Sequence, residues 1–169
     1  MILKAGHDIH RVRKREIDCI RKIMSDGGVY CEGDRKGLVR MIRDFQDNPG
    51  SAGIYTFTYS IDQKVVGFIS LANDVGERTY EILALGVRPR CQGKGIAKRM
   101  IRYVESVVRK NRGRIMYIST STSKEFLPAR SLYRKSGYKK TATIRDYFED
   151  GDHKVIYMKR LRKPRAVLA

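Results

Sequence analysis

Two stretches of this sequence hold residues whose types and spacing can do chemistry. The first is Arg90-Cys91-Gln92-Gly93-Lys94-Gly95, a basic glycine turn that follows the apolar run Ile82-Leu83-Ala84-Leu85-Gly86-Val87. Strand, glycine turn and helix start together offer free backbone N–H groups and the positive end of a helix dipole to a phosphate. The glycines let the backbone approach an anion closely, and Arg88, Arg90 and Lys94 enrich the positive field. A plain strand-to-helix connection is the bland alternative. The turn is neither a GxxxxGK[ST] loop, which does not occur in the chain, nor a dinucleotide fingerprint, because Gly93-Lys94-Gly95 lacks the third glycine and no βαβ unit precedes it. The second stretch, residues 146–153, reads DYFEDGDH and places two aromatics and four acids in a very basic chain. An acidic, aromatic pocket suits a cationic amine; a polar hairpin loop is the equal alternative.

At 169 residues the chain can bury a full core. We take residues 1–161 as a single domain and 162–169 as a basic tail. Hydrophobic residues make up 41%, which excludes a disordered composition. No apolar run approaches the ~20 residues that span a bilayer, and the first residues, MILKAGHDIHRVRK, carry no signal-peptide pattern. The expected location is cytoplasmic, away from membranes. Cys19, Cys31 and Cys91 are odd in number and widely spaced, against a disulfide framework and against a zinc site, so no metal is expected. The net charge of +18 draws polyanions, a cofactor or a nucleic acid alike. The charge is scattered, with one dense run at residues 159–165, so a solvated basic surface is preferred to a nucleic-acid site.

Periodicity sets out the elements that must position these residues. A strand is expected at 1–5 and a helix at 9–24, with Ile9, Val12, Ile17, Ile20 and Met24 on one face. A second helix spans 34–45, through Leu38, Met41, Ile42 and Phe45, and ends at the turn residues 47–51. Strands follow at 54–60, 65–71 and 79–87, the last apolar enough to be buried on both faces and hence central. A helix at 94–110 crosses over to a strand at 115–119, parallel to the 79–87 strand. A short helix at 128–136 and strands at 138–144 and 153–158, an antiparallel hairpin with a long loop, complete the chain. The order is β-α-α-β-β-β-α-β-α-β-β: an α/β (α+β) fold with a mixed, mostly antiparallel sheet and helices on both faces.

Gln92-x-x-Gly95-x-Ala97 matches the Q/R-x-x-G-x-G/A signature of the GCN5-related N-acetyltransferases, and the segment from Ala129 to Tyr138, ARSLYRKSGY, is similar to that family's A-x-x-L-Y-x-x-x-G-F/Y element. The element order also resembles the family's. The resemblance implies that the turn holds the pyrophosphate of acetyl-CoA, with Gln92, Gly93, Lys94, Gly95, Ile96, Ala97 and Ala129 as cofactor contacts. It implies that Leu85, Gly86 and Val87 pair with the pantetheine arm, that a backbone N–H there serves the oxyanion, and that Gly86 permits close approach. Tyr133 is the implied general acid. Glu81, eleven residues before Gln92 on the central strand, is the expected base, because apolar neighbours raise a carboxylate's proton affinity; Asp146, Glu149, Asp152 and His153 are rivals. The acceptor of such enzymes enters between the first two helices and the last hairpin loop, which implicates Tyr30, Tyr147 and Asp152. Phe126 departs from the family, where many members carry an asparagine; that contact is lost or passes to Ser121, Thr122 or Ser123. The implied activity is direct acetyl transfer from acetyl-CoA to a primary amine of an unknown acceptor in a ternary complex, by a monomer or homodimer. The alternative is a basic RNA- or ribosome-associated binding module with little catalysis.

Overall fold

The structure, a computed structural model, describes residues 7–47, 53–73 and 76–161. Its strands are β1 (His7–Arg11), β2 (Ile54–Ile61), β3 (Lys64–Asn73), β4 (Thr79–Val87), β5 (Ile115–Ser121), β6 (Lys139–Glu149) and β7 (Asp152–Arg160). Its helices are α1 (Ile17–Gly27), α2 (Glu32–Asp47), α3 (Ile96–Lys110) and α4 (Leu127–Lys135). The strands form a seven-stranded sheet in the order β1-β2-β3-β4-β5-β7-β6. The β4–β5 pair is parallel, as the crossover through α3 requires, while β1–β2, β2–β3, β5–β7 and β6–β7 are antiparallel. The mixed, mostly antiparallel sheet of the sequence reading is the observed one.

The chain divides into two compact units, one of residues up to 73 with Ile82–Tyr103, the other of residues 74–81 with those from Val104 onward. In the first unit, adjacent residues of β3 point to opposite faces of the sheet. Phe68, fully buried, joins Ile17, Ile20, Ile23 and Met24 of α1 and Leu38, Val39 and Ile42 of α2 in one cluster. Its neighbour Gly67 faces Ile96 and Met100 of α3. Helices therefore cover both faces here. Glu16 lies buried beside this core, where its carboxylate accepts hydrogen bonds from the Arg13 amide (3.0 Å) and the Thr58 hydroxyl (3.2 Å) and meets His10 Nε2 (2.9 Å). Burial alone would raise its proton affinity, but the Arg13 N–H and His10 carry it below the ordinary carboxylate value.

In the second unit, Glu105 of α3 is buried and receives Lys159 Nζ on both oxygens (2.8 and 2.9 Å) and Arg109 on one (3.2 Å). Burial, followed by the Glu105 charge, pushes the neighbouring Tyr138 phenol up.

Three expectations change. Residues 9–24 are not one helix: Ile9 lies in β1, which pairs with β2 from His7↔Ile61 to Arg11↔Phe57, and the helix proper starts at Ile17. The Ile9/Val12 spacing fits a helix, but the partner strand decides the local state. The 79–87 strand is central, yet only Ile82 and Ala84 are buried and the rest is half-buried. The long hairpin loop is replaced by a two-residue connection at Asp150-Gly151, because β6 runs on to Glu149. Its ladder breaks after Ile144 and resumes at Glu149↔Asp152. Across the break, side chains replace ladder bonds: Asp146 Oδ1 accepts the Gly151 N–H (2.9 Å), and the Asp146 N–H donates to His153 Nδ1 (3.0 Å). The strand expected at 1–5, most of the turn at 47–51 and the tail at 162–169 lie outside the described residues.

Candidate functional site

In the first unit the candidate groups are backbone groups. Arg88, just past the end of β4, donates its N–H to Val66 of β3 (2.8 Å). The two-residue period of a strand then turns the polar groups of Val87 and Leu85 away from β3. Both are met by side chains. Tyr30 Oη donates to the Leu85 carbonyl (3.0 Å) and accepts the Leu85 N–H (3.2 Å). Gln92 Nε2 donates to the Val87 carbonyl (3.0 Å). Gly86 between them has its own reason: an added Cβ would lie 2.6 Å from the Phe68 ring and 3.1 Å from Ile23. A side chain at Gly86 would therefore collide with the core packed against β4.

Tyr30 is aimed by a short connection held at both ends. Gly28 closes α1 in the left-handed region (φ 71°). At the other end the Cys31 N–H donates to Asp34 (3.1 Å), and Arg35 Nη1 donates to the Tyr30 carbonyl (2.7 Å). Burial pushes the Tyr30 phenol up, which keeps it a neutral donor.

The glycine turn follows. A 3-10 turn, Pro89–Cys91, ends at Gln92; Gly93 and Gly95 take φ +74° and +77°, and nothing lies within 4 Å of a Cβ at either. Gln92, Gly93, Lys94 and Gly95 are exposed, Ala97 is half-buried and Ile96 turns into the core. The helix starts at Ile96, two residues later than expected, and the first N–H groups of any helix lack intrahelical partners. An open cradle with positive charge fits a pyrophosphate. Beside it runs an open groove of about 1710 Å³, lined among others by Arg13, Arg15, Lys22, Lys64, Arg88 and Arg90, with Asp8, Glu16, Asp26 and Asp62 interspersed. Cys19 and Cys91 also line it and are free thiols, as is Cys31.

In the second unit the candidate groups are side chains. β4 pairs with β5 from Thr79↔Ile115 to Glu81↔Tyr117. There Glu81, half-buried, accepts hydrogen bonds from Tyr117 Oη and Ser119 Oγ, each at 3.1 Å. The expectation of an apolar surround is corrected: strand neighbours two apart share a face, and on β5 the residues that reach Glu81 are hydroxyl-bearing. Tyr133 is the buried residue of α4, its ring 5.9 Å from that of Tyr157. Ala129 lies half-buried one turn before it.

Asp152 at the start of β7 accepts from Ser121 Oγ (2.6 Å), the Thr122 N–H (2.9 Å), Thr122 Oγ1 (3.1 Å) and the Ser123 N–H (3.2 Å). These donors, the Ser121 hydroxyl first, hold its carboxyl below the usual aspartate range. Arg130 completes the clamp by donating to the carbonyls of Ser121 (2.7 Å) and Ser123 (2.8 Å). The three hydroxyl residues offered as substitutes for the missing asparagine are thus bound to Asp152, and Phe126 sits at the N-cap of α4. Sequence reasoning missed Arg130, although it lies inside the second signature. Tyr147 and Phe148 stand exposed on β6, edge to face, with Lys154 Nζ 4.5 Å from the Tyr147 ring centroid. Among the described residues no helix is long and apolar enough to cross a membrane.

Comparison with known proteins gives a consistent picture. Residues 20–138 match the model of the acetyltransferase (GNAT) family. An uncharacterised N-acetyltransferase of Methanocaldococcus jannaschii is 29% identical over 110 residues, 65% of this chain and 67% of that protein. Among solved structures, a Desulfovibrio desulfuricans protein described as an acetyltransferase of the GNAT family superposes with a TM-score of 0.89 at 19% identity, covering 93% of this chain and all of that one. A Salmonella typhimurium acetyltransferase, solved with acetyl-CoA, superposes at 0.74 and 15% identity, over 95% of this chain and 97% of that one.

Proposed function

This chain belongs to the acetyltransferase (GNAT) family, and from that premise we propose that it transfers an acetyl group from acetyl-CoA to a primary amine, directly, in a ternary complex. The observation that carries the cofactor half is the turn at Gly93 and Gly95, whose positive φ angles and open surroundings suit a pyrophosphate at the start of α3. Acetyl-CoA supplies the activated acyl group; the rest of the chemistry falls to the chain. The Leu85 N–H is the donor for the charge that develops on the acyl oxygen. Glu81, oriented by Tyr117 and Ser119, takes the proton that the ammonium must lose, through water or directly. Tyr133 returns a proton to the leaving thiolate. Asp152 is better read as the anchor of residues 121–123 than as a base, because its lone pairs are committed there. The aromatic, acidic segment 146–153 supports a cationic acceptor, with Tyr147 already stacked against a cation.

The test is a thioester-cleavage assay across a panel of amines, amino acids and peptides. CoA release that depends on an amine is expected. Absence of cleavage with every acceptor, together with absence of acetyl-CoA binding by calorimetry, overturns the reading.

One observation favours the second reading, an RNA-associated module. Arg15, Lys22, Lys64 and Arg90 line the groove of the first unit without an ion-pair partner among the described residues. Affinity for unrelated RNA that falls steeply with salt is its signature; negligible binding at low salt removes it.

A further inference from the structure

Tyr30 and Leu85 make a polar contact in the first unit that the proposed chemistry does not use. Their residues are 55 positions apart, and one hydroxyl satisfies both the N–H and the C=O of a single strand residue. Those groups point away from β3, on the edge where a strand would otherwise find a partner. The phenol acts as a one-residue stand-in for that partner. It is held there from both sides, by Gly28 and by Arg35 on the Tyr30 carbonyl, and its burial keeps it protonated.

A backbone N–H makes one good hydrogen bond. If the Leu85 N–H is to receive the acyl oxygen, as the function proposed above requires, it must first release the Tyr30 oxygen. The acyl oxygen is an acceptor only, so it can replace the phenol on the Leu85 N–H but not on the Leu85 carbonyl. Free CoA has no oxygen at that point and makes no such claim. We propose that the Tyr30 hydroxyl is a placeholder for the acyl oxygen at the Leu85 amide, and that this competition sets how strongly acetyl-CoA is preferred over CoA. The inference rests on the Leu85 role in the proposed function. Tyr30 is a positioning residue in this account: it acts on the donor through Leu85 and does not touch the reacting atoms.

The test is Tyr30→Phe, which keeps the ring and deletes the hydroxyl. By calorimetry, acetyl-CoA should bind about fivefold tighter, the worth of one net hydrogen bond, while CoA affinity stays unchanged. KM for acetyl-CoA should fall with it, the pattern of binding gained in the ground state. Acetyl-CoA binding that is unchanged or weaker, or an equal change for both ligands, overturns the proposal. A second measurement does not depend on the variant folding. In the wild-type protein labelled with 15N-leucine, saturation with acetyl-CoA should move the Leu85 amide resonance away from its position with CoA; coincident resonances overturn it as well. If the wild-type protein binds neither ligand, the function itself has failed, and that result is distinct from every outcome above.

Discussion

The two units present opposite kinds of chemistry by opposite means. In the first, the groups on offer are backbone N–H donors at Leu85 and along the turn at Gly93 and Gly95, with the Tyr30 hydroxyl bound at Leu85 and the Gln92 amide on the neighbouring Val87 carbonyl. In the second, the groups on offer are carboxylates and a phenol, and backbone or hydroxyl donors serve to orient them, as Tyr117 and Ser119 orient Glu81. Backbone donors are indifferent to residue type and suit a ligand that never changes. Side-chain acids and bases must be of one type at one place. Substitution should therefore act very unequally in the two units.

The largest effect is expected at Tyr133. Tyr133→Phe keeps the packing against Tyr157 and should lower kcat by ~10²–10⁴ with the fold intact by circular dichroism. Wild-type turnover would move the acid role elsewhere. Glu81→Gln should lower kcat by ~10² at neutral pH, and the deficit should shrink as pH rises and amine acceptors lose their proton unaided; a pH-independent deficit would make Glu81 a structural residue instead. In the first unit, Gly95→Ala forces a side chain into the left-handed region, at about 1–2 kcal/mol. About tenfold weaker acetyl-CoA binding is expected, with kcat nearly unchanged. An equal loss of kcat would break the division of labour between the units.

The smallest effect is one of stability. The Asp152 carboxyl is held below its ordinary value by donors that exist only in the folded chain. Its contribution is therefore present above the unfolded aspartate value of about 3.9 and is lost as pH falls through the lower folded value. Glu16 follows the same sign from the ordinary value of 4.5. Hydrogen exchange at the Thr122 and Ser123 amides should rise below about pH 4, and Asp152→Asn should show the rise already at neutral pH.

What the sequence reveals and what it hides follow the same division. The β4 boundaries and the glycine turn are local patterns, and both are where the sequence puts them. Glu81 and Tyr133 stand out by residue type. Nothing at Leu85 marks it, because its N–H is the same as any other, and its partner comes from a connection far away in sequence. The environment of Glu81 is hidden for a related reason. Its neighbours along β4 are apolar, but the side chains that reach it come from β5. The extent of β1 likewise depends on pairing with β2, which no window of residues 9–24 contains.

The broken ladder of the last hairpin has a consequence for how this protein can be altered. Between Ile144 and Glu149 the strands are linked by Asp146 and His153 side chains rather than by a continuous register. Adding or deleting a residue inside a continuous ladder flips every following side chain to the other face. Here the count can change within residues 145–148 while the register from Lys139 to Ile144 and the Asp152 clamp stay as they are. The hairpin tip is thus a natural grafting point, where exposed aromatic and acidic residues can be exchanged as a cassette without rebuilding the sheet.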